Sequence, residues 1–364
     1  MADELQRYIV KDAKPTGVEL GTGSYGSVLE FKISGALCAG KKLHDALLDP
    51  QNEGLKCMVD KFKRECQLLA SLRHPNIVQF LGLAFLPDSS LPCLLMERLH
   101  CSLDEYLEKR QNIAFSIKRS ILLDVSSGLL YLHHEHDPPV IHRDVTSKNV
   151  LLTTSLTAKL ADLGNSRFID TNPLSSQMTS APGTSVYMPP EAVQQKAHYS
   201  SKLDIFSFGH LSLYVLTETF PCELLPSVEP DPQNPNNLIP RSEVQRREKY
   251  FTILRSKLSQ RKHQPLISLV ERCLHNAPSR RPTALELHTN LQAFPLESDD
   301  YPTAMHMELK DKSSTELAHL ERSSEWEEEV SITFQFNSAY IRVVMFSALS
   351  QVMYQVDYTI PHVV

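Results

Sequence analysis

The sequence predicts an α+β fold whose strands come first and whose helices come second. Three observations carry this. Residues 18–43 alternate short β-prone runs with a glycine-rich turn, whereas from Leu103 onward apolar residues recur at helical spacing. The composition is that of an ordinary globular protein, 41% hydrophobic and 22% charged. The 364 residues show no internal repeat and suffice for two compact units or one domain of two lobes. Strand-rich then helix-rich order points to two lobes.

The elements follow in order. GVEL reads as a strand running into GTGSYG (Gly21–Gly26), followed by SVLEFKI and ALCAGKKL. Leu55, Met58, Val59, Phe62, Cys66 and Leu69 then form one helical stripe, with Pro75 just past its end. The short apolar runs IVQFLGLAFL and PCLLMERL follow. Helical patterns cover 116–134 and 200–218, and between them NVLLTTSLTAKLADLG reads as a small hairpin. Six prolines among the twenty residues Pro221–Pro240 predict a loop, because proline removes donors and blocks helix. ALELHTNLQAF is the last helical pattern before the tail.

The tail, 295–364, is different. Residues 297–329 hold eleven acidic and three basic side chains and so carry −8, and with 330–364 cancelling, the formal net charge of −6 leaves +2 for residues 1–296. Leu309, Leu317 and Leu320 are too few for a coiled coil, and the composition predicts a weakly ordered segment. Its apolar end, with Ile332, Phe334, Phe336, Tyr340 and Ile341, is expected to dock on the domain or on a partner if it orders.

Bulk features also exclude function classes. A near-neutral body lacks the basic face that nucleic-acid binding needs. Seven cysteines without a CxxC pair predict reduced thiols in a cytoplasmic protein rather than a zinc or redox site. The N-terminus has no apolar signal core, and Arg342, Gln351, Gln355 and Asp357 break up the best candidate membrane span, 338–360. A soluble protein is expected.

The chemistry concentrates in two neighbouring motifs. HRDVTSKN (His142–Asn149) is followed by ADLG, which ends at Gly164, and together they bring in Asp144, Asn149 and Asp162. An Asp that accepts a hydroxyl proton, with an Asn and an Asp that hold a metal, is the equipment of phosphoryl transfer. Upstream, GTGSYGSV matches GxGxxGxV, a loop whose glycines let backbone N–H groups approach phosphates. Lys41 follows on the next strand, with Lys42 expected on the opposite, solvated face. Glu65 lies on the flank of the helical stripe, where an acid can reach inward.

These motifs, in this order, resemble the eukaryotic-type protein kinases, and their mixture resembles the tyrosine-kinase-like group. The resemblance implies a bilobal protein kinase fold over 14–294: a small antiparallel β-sheet N-lobe with one helix (14–96), a hinge (97–100) and a larger, mainly helical C-lobe (101–294). Residues 1–13 become a lead-in and 295–364 an appended tail. It also implies ATP and magnesium (Mg2+) as cofactors and proteins as substrates. By resemblance Lys41 binds phosphates and pairs with Glu65, Asp144 is the base or positions the hydroxyl, Lys148 assists, and Asn149 and Asp162 hold the metal. Gly21, Gly23 and Gly26 cover the phosphates, Met96 is the gatekeeper, the backbones of Glu97 and Leu99 meet the adenine edge, and Val28, Ala39 and Leu151 sandwich the ring. Leu163, in DLG, keeps an apolar plug between His142 and the helix carrying Leu69. Glu191 and Arg281 are implied to form an ion pair, and Asp204 to brace the loop of Asp144.

Substrate signals are mixed. Thr146 replaces the usual lysine two residues after Asp144, and Lys148 lies four after it, as in many receptor-type tyrosine kinases. GTSVY (Gly183–Tyr187) instead resembles the serine/threonine substrate loop, and the only Trp, Trp326, is in the tail. Serine/threonine specificity is expected, with tyrosine or dual specificity as the alternative. A pseudokinase scaffold is the rival class, and its usual mark is loss of the residues at Lys41, Asp144 or Asp162. Arg143 beside Asp144 calls for a counter-charge that a phosphorylated Thr171, Ser175, Ser176, Thr179 or Ser180 could supply. Thr184 is expected to contact Asp144.

Overall fold

Alternating apolar residues build the first sheet. In the computed structural model, which describes residues 6–22, 26–43, 55–86, 89, 91–168, 187–193, 200–220, 228–231, 234–240, 243–295, 328–336, 339–348 and 351–359, five strands pair antiparallel. They are β1 (Lys14–Thr22), β2 (Gly26–Ile33), β3 (Ala36–Leu43), β4 (Phe80–Ala84) and β5 (Cys93–Glu97), in the order β1-β2-β3-β5-β4. Phe31, Cys38, Ala84, Cys93 and Leu95 cluster on one side with Val10 and Ala13. Leu43, Leu83 and Leu94 join the main core with Phe62, Cys66 and Leu69 of α1 (Leu55–Ser71). The lead-in takes part in this lobe: the Val10 N–H donates to Leu83 O and the Leu83 N–H to Tyr8 O, both at 2.8 Å, and the Tyr8 ring meets Phe80 edge-on.

The helical part follows. It contains α2 (Leu103–Lys109), capped by Ser102, and α3 (Phe115–Leu130), which continues through a π-turn at Tyr131–Glu135. Next come α4 (Lys202–Thr217), α5 (Glu243–Lys257), α6 (Gln264–Cys273) and α7 (Ala284–Ala293), the last started by a Thr283–Glu286 capping box. Two small sheets lie under the hinge. One is β6 (Cys101–Ser102) with β8 (Val150–Leu152) and β9 (Ala158–Leu160), and the other pairs β7 (Val140–Ile141) with β10 (Arg167–Phe168). Every residue of α4 from Leu203 to Thr217 is buried. Its hydroxyls survive there because Ser207, Ser212 and Thr217 donate to the carbonyls of Tyr187, Phe208 and Leu213. Among the described residues no helix is long and apolar enough to cross a membrane.

One expectation changes. The proline-rich stretch is not all loop, because β11 (Val228–Asp231) and β12 (Asn234–Pro240) form an antiparallel ribbon. A two-stranded ribbon consists only of edges, and edge positions tolerate prolines that a central strand would reject. The structure describes β13 (Glu328–Phe336), β14 (Ala339–Ala348) and β15 (Gln351–Thr359) as an antiparallel meander within a second unit, Thr303–Val364.

Arg281 shows what holds the helical part together. Its guanidinium is buried yet fully used. Nε donates to His275 O (2.8 Å), Nη1 to Lys202 O (3.0 Å), Nη2 to Asn276 O (3.1 Å), and both terminal nitrogens to Glu191. The expected Glu191–Arg281 pair is therefore formed, bidentate, over the Phe206 ring. Arg281→Leu should cost about 3–5 kcal/mol, because it strands Glu191 and several carbonyls. Arg281→Lys should recover little, since a point charge cannot reproduce the fork. Urea denaturation of the three proteins checks both statements.

Candidate active site

Strand alternation turns Lys41 inward from β3, where its Nζ reaches Glu65 Oε1 and Oε2 (2.8 and 3.1 Å) and Asp162 Oδ1 (2.8 Å). Glu65 projects from α1 and is almost fully buried. Asp162 takes a left-handed backbone, φ 58 and ψ 73, at the start of the short turn Leu163–Asn165. Aspartate tolerates this because its short side chain bonds locally, here by accepting from the Gly164 N–H at 3.3 Å. Burial alone would favour a neutral Lys41, but Glu65 and Asp162 outweigh it and hold the ammonium above its ordinary range. Burial would also raise Asp162, and Lys41 overrides it to keep that carboxylate low. Glu65 ends up raised, since burial, reinforced by Asp162, exceeds the pull of Lys41. Lys42 is half-buried rather than fully solvated.

The loop of Asp144 is hung from Asp204. The His142 and Arg143 N–H groups donate to the two Asp204 oxygens at 2.8 and 2.7 Å, and His133 Nε2 bonds the same carboxylate at 2.7 Å. Burial would raise Asp204, but the His133 hydrogen bond, with the others, brings it below its usual value. Cross-links then join this loop to the Asp162 segment: His142 Nε2 to Ala161 O (3.1 Å), Ala161 N–H to Asn149 O (2.8 Å) and Ser166 Oγ to His142 O (3.2 Å). Asp144, Asn149 and Asp162 are thus brought together as expected, and Leu163 is buried in the core with Leu69. Burial raises Asp144, Asp162 adds to this, and His142 with the Asn149 and Asn165 amides opposes it.

The oxygens left over fit a hard cation. Asn149 Nδ2 donates to the Asp144 carbonyl (2.9 Å), which leaves the Asn149 side-chain oxygen as its remaining acceptor. Asp162 spends Oδ1 on Lys41 and Gly164, which leaves Oδ2. Two such oxygens suit a divalent ion that shares its shell with phosphate. No group of three or more His, Cys, Asp or Glu among the described residues could form an all-protein cage.

The expected nucleotide residues fall on neighbouring ladder positions. Val28 faces Lys41 across β2–β3, Ala39 faces Met96 across β3–β5, and Leu151 lies on β8 beside the strand that follows the hinge. Val28, Met96, Leu99 and Leu151 are half-buried. Glu97 is already engaged: its N–H donates to Gln79 O (3.0 Å), and its carboxylate accepts from the Gln79 N–H (2.8 Å) and pairs with Lys159 (2.7 Å). Only its carbonyl remains to meet an adenine. Gly21 is exposed on β1, and Gly23 lies outside the described residues. Gly26 has a further reason to be glycine, since a Cβ there would sit 2.0 Å from the Lys42 carbonyl. Lys148 is exposed and makes no ion pair among the described residues. Thr171, Ser175, Ser176, Thr179, Ser180 and Thr184 lie outside the described residues.

Some contributors gave no sequence signal. His133 is far from Asp204 in the chain. Ser147 links Asp104 (2.5 Å) to the Tyr187 hydroxyl (3.1 Å) through a serine that reads as an ordinary loop residue. Asn165 had one available clue, its place directly after DLG.

The triad gives a test. Lys41→Met leaves Glu65 and Asp162 facing each other without a cation, at a cost of about 3–5 kcal/mol at pH 8. Without Lys41 the already raised Glu65 rises further above its unfolded value. A raised group contributes stability that is fully present below its unfolded pKa and lost as pH rises through the folded pKa. The deficit of Lys41→Met against wild type should therefore shrink at pH 5 and grow at pH 8, read by chemical denaturation at both.

The protein kinase domain family matches residues 15–291. An LRR receptor-like serine/threonine-protein kinase of Arabidopsis thaliana is 28% identical over 301 residues, covering 78% of this chain and 25% of that protein. A probable serine/threonine-protein kinase of Dictyostelium discoideum is 33% identical over 205 residues, 56% of this chain and 19% of that protein. A calcium/calmodulin-regulated receptor-like kinase of Arabidopsis thaliana is 30% identical over 299 residues, 79% of this chain and 63% of that protein. The chain thus spans a quarter or less of the length of the first two relatives. Protein kinase domains use ATP and divalent metal ions and act on proteins. Because the family match runs through both lobes and takes in every residue of the site, the chain belongs to the protein kinase domain family.

Proposed function

We propose that this protein transfers the γ-phosphoryl group of ATP to serine and threonine hydroxyls of other proteins. The observation that carries the reading is the double engagement of Lys41, by Glu65 and Asp162 at once, beside Asp144. Kinases need the lysine–glutamate pair and the metal-holding aspartate in place together before transfer. Lys41 neutralises the α- and β-phosphates, and the Glu65 carboxylate keeps its ammonium aimed. Asp144 receives the acceptor hydroxyl's proton, a task helped by a carboxylate raised by burial. Asn149 and Asp162 hold the cation, for which we take Mg2+, since few protein oxygens plus phosphate oxygens suit it. When bound there, the ion neutralises charge on the phosphates. Val28, Ala39 and Leu151 enclose the adenine behind Met96, with the Glu97 carbonyl and the Leu99 backbone at its edge. Gly21, Gly23 and Gly26 cover the phosphates, and Lys148 stands at the rim.

Serine/threonine specificity draws on the GTSVY segment and on relatives whose names carry that specificity. The exposed Lys148, four residues after Asp144, favours dual specificity as the second reading. A cytoplasmic setting draws on thiols free at Cys38, Cys66, Cys93, Cys101 and Cys273, with burial pushing Cys66 and Cys273 up to about 12. Residues 14–294 form the catalytic unit, and the tail is an appendage that offers a partner surface.

Incubation with Mg-ATP and generic protein substrates, followed by phosphosite mapping, tests activity and residue class together. Asp162→Asn should lower transfer more than about 10²-fold with the domain still folded. Wild type that binds Mg-ATP and transfers nothing, even to itself, is a scaffold instead. A chain ending at Leu296 should keep its specific activity and melting temperature. Phe294, packed on Phe115 at 5.7 Å, closes the last helix, so a fall of many degrees would move the tail into the folded unit.

A further inference from the structure

Asn165 is absent from the residues that the motifs select, yet it touches the centre of the site. Its Nδ2 lies 3.3 Å from Asp144 Oδ2. Its main-chain oxygen accepts from Arg143 Nη1, also at 3.3 Å. The next residue ties the same segment down twice, with the Ser166 N–H to Leu163 O (3.0 Å) and Ser166 Oγ to His142 O (3.2 Å). The amide is therefore delivered to Asp144 by a clamped backbone and does not reach it as a loose surface side chain.

This matters for what Asp144 can do. Asn149 fixes the Asp144 main chain by donating to its carbonyl, and the Asp144 N–H points to His142 Nδ1 at 3.3 Å. Those contacts set where the residue sits. The Asn149 amide also favours the charged carboxylate, but its hydrogen bond goes to the main-chain oxygen, so rotation about χ2, a broad torsion for aspartate, is left to another partner to fix. A donor on Oδ2 removes that freedom and leaves the other oxygen for an incoming hydroxyl. A carboxylate rotated out of line forfeits the alignment on which transfer depends.

We propose that Asn165 is a positioning residue that holds the Asp144 carboxylate in the rotamer from which it meets the acceptor hydroxyl. The inference rests on the reading of Asp144 as the group that receives the hydroxyl. In this role Asn165 acts through Asp144 and needs no contact of its own with nucleotide or acceptor. Because Arg143 binds the main-chain oxygen, side-chain substitutions at 165 leave that anchor in place and test the amide alone.

The test uses the full chain with Mg-ATP and a generic protein substrate, and three variants of nearly conserved shape. Asn165→Leu removes the donor. Asn165→Asp exchanges it for an acceptor that repels Asp144. Asn165→His restores a ring N–H at the δ position. A hydrogen bond to a charged group is worth about 1.5–3 kcal/mol, and this one is long, so kcat should fall about tenfold in Asn165→Leu. KM for ATP and the melting temperature should stay near wild type. Asn165→Asp should fall below Asn165→Leu, and Asn165→His should recover most of the loss. Overturning results are a kcat within twofold of wild type in Asn165→Leu, or a loss that appears in KM for ATP or in melting temperature. An Asn165→Asp variant nearest wild type would likewise show that the side chain only fills space. Wild type without transfer would overturn the kinase reading itself, and this inference with it, before any variant is compared.

Discussion

Three carboxylate oxygens, two of Glu65 and one of Asp162, converge on the single ammonium of Lys41 and join three separate elements at one point. The ammonium belongs to a sheet, two of the oxygens to Glu65 on a helix, and the third to Asp162 in a turn more than a hundred residues on from Lys41. Two carboxylates against one ammonium leave the buried cluster short of one positive charge. That shortage adds to the burial that raises Glu65, and it makes the neighbourhood of Asp162 attractive to a cation. The backbone keeps these partners in range. The Val78 N–H donates to Leu160 O and the Leu160 N–H to Asn76 O, both at 2.9 Å, so the segment leaving α1 is fixed to the strand that leads into Asp162.

The helical part solves a different problem, which is how to bury polar groups without waste. Asp204 collects two backbone N–H groups and a histidine, and Arg281 spends its donors on a carboxylate and three carbonyls. Buried charge is tolerated when it is paired and its remaining bonds are made, and it is costly otherwise. Lys202 Nζ completes the set by donating to Arg281 O at 2.6 Å. The result is a floor from which the backbone leading into Asp144 is hung, so that α4 sets where this loop starts.

Much of this was readable in the chain before any coordinates. Strands β1 to β3, α1, the hairpin of β8 and β9, and the long helix α3 left a period of two or about 3.6 in the apolar residues, and α4, buried on every side, left a long apolar run. Lys41, Asp144, Asn149 and Asp162 were legible because few side chains can do phosphate and proton chemistry, and their order along the chain is distinctive. The flank position of Glu65 hinted at its inward reach. What escaped has a common cause. His133 on Asp204, Asn165 on Asp144 and Lys159 on Glu97 are contacts across distance, and no local spacing records them. The ribbon of β11 and β12 escaped because proline content was read as if every strand were central. Gly26 was read through phosphate approach, whereas the described structure also demands it for the closeness of two backbones.

The engaged N–H of Glu97 has a consequence for small molecules that compete at the hinge. Its hydrogen is committed to Gln79 and its side chain to Lys159, so at this residue a flat heterocycle meets only a carbonyl oxygen. A scaffold presenting its own N–H there gains a bond. One presenting a ring nitrogen lone pair there meets another lone pair and pays the desolvation of both acceptors. Inhibitor selectivity at this position is thereby a question of hydrogen-bond polarity rather than of size.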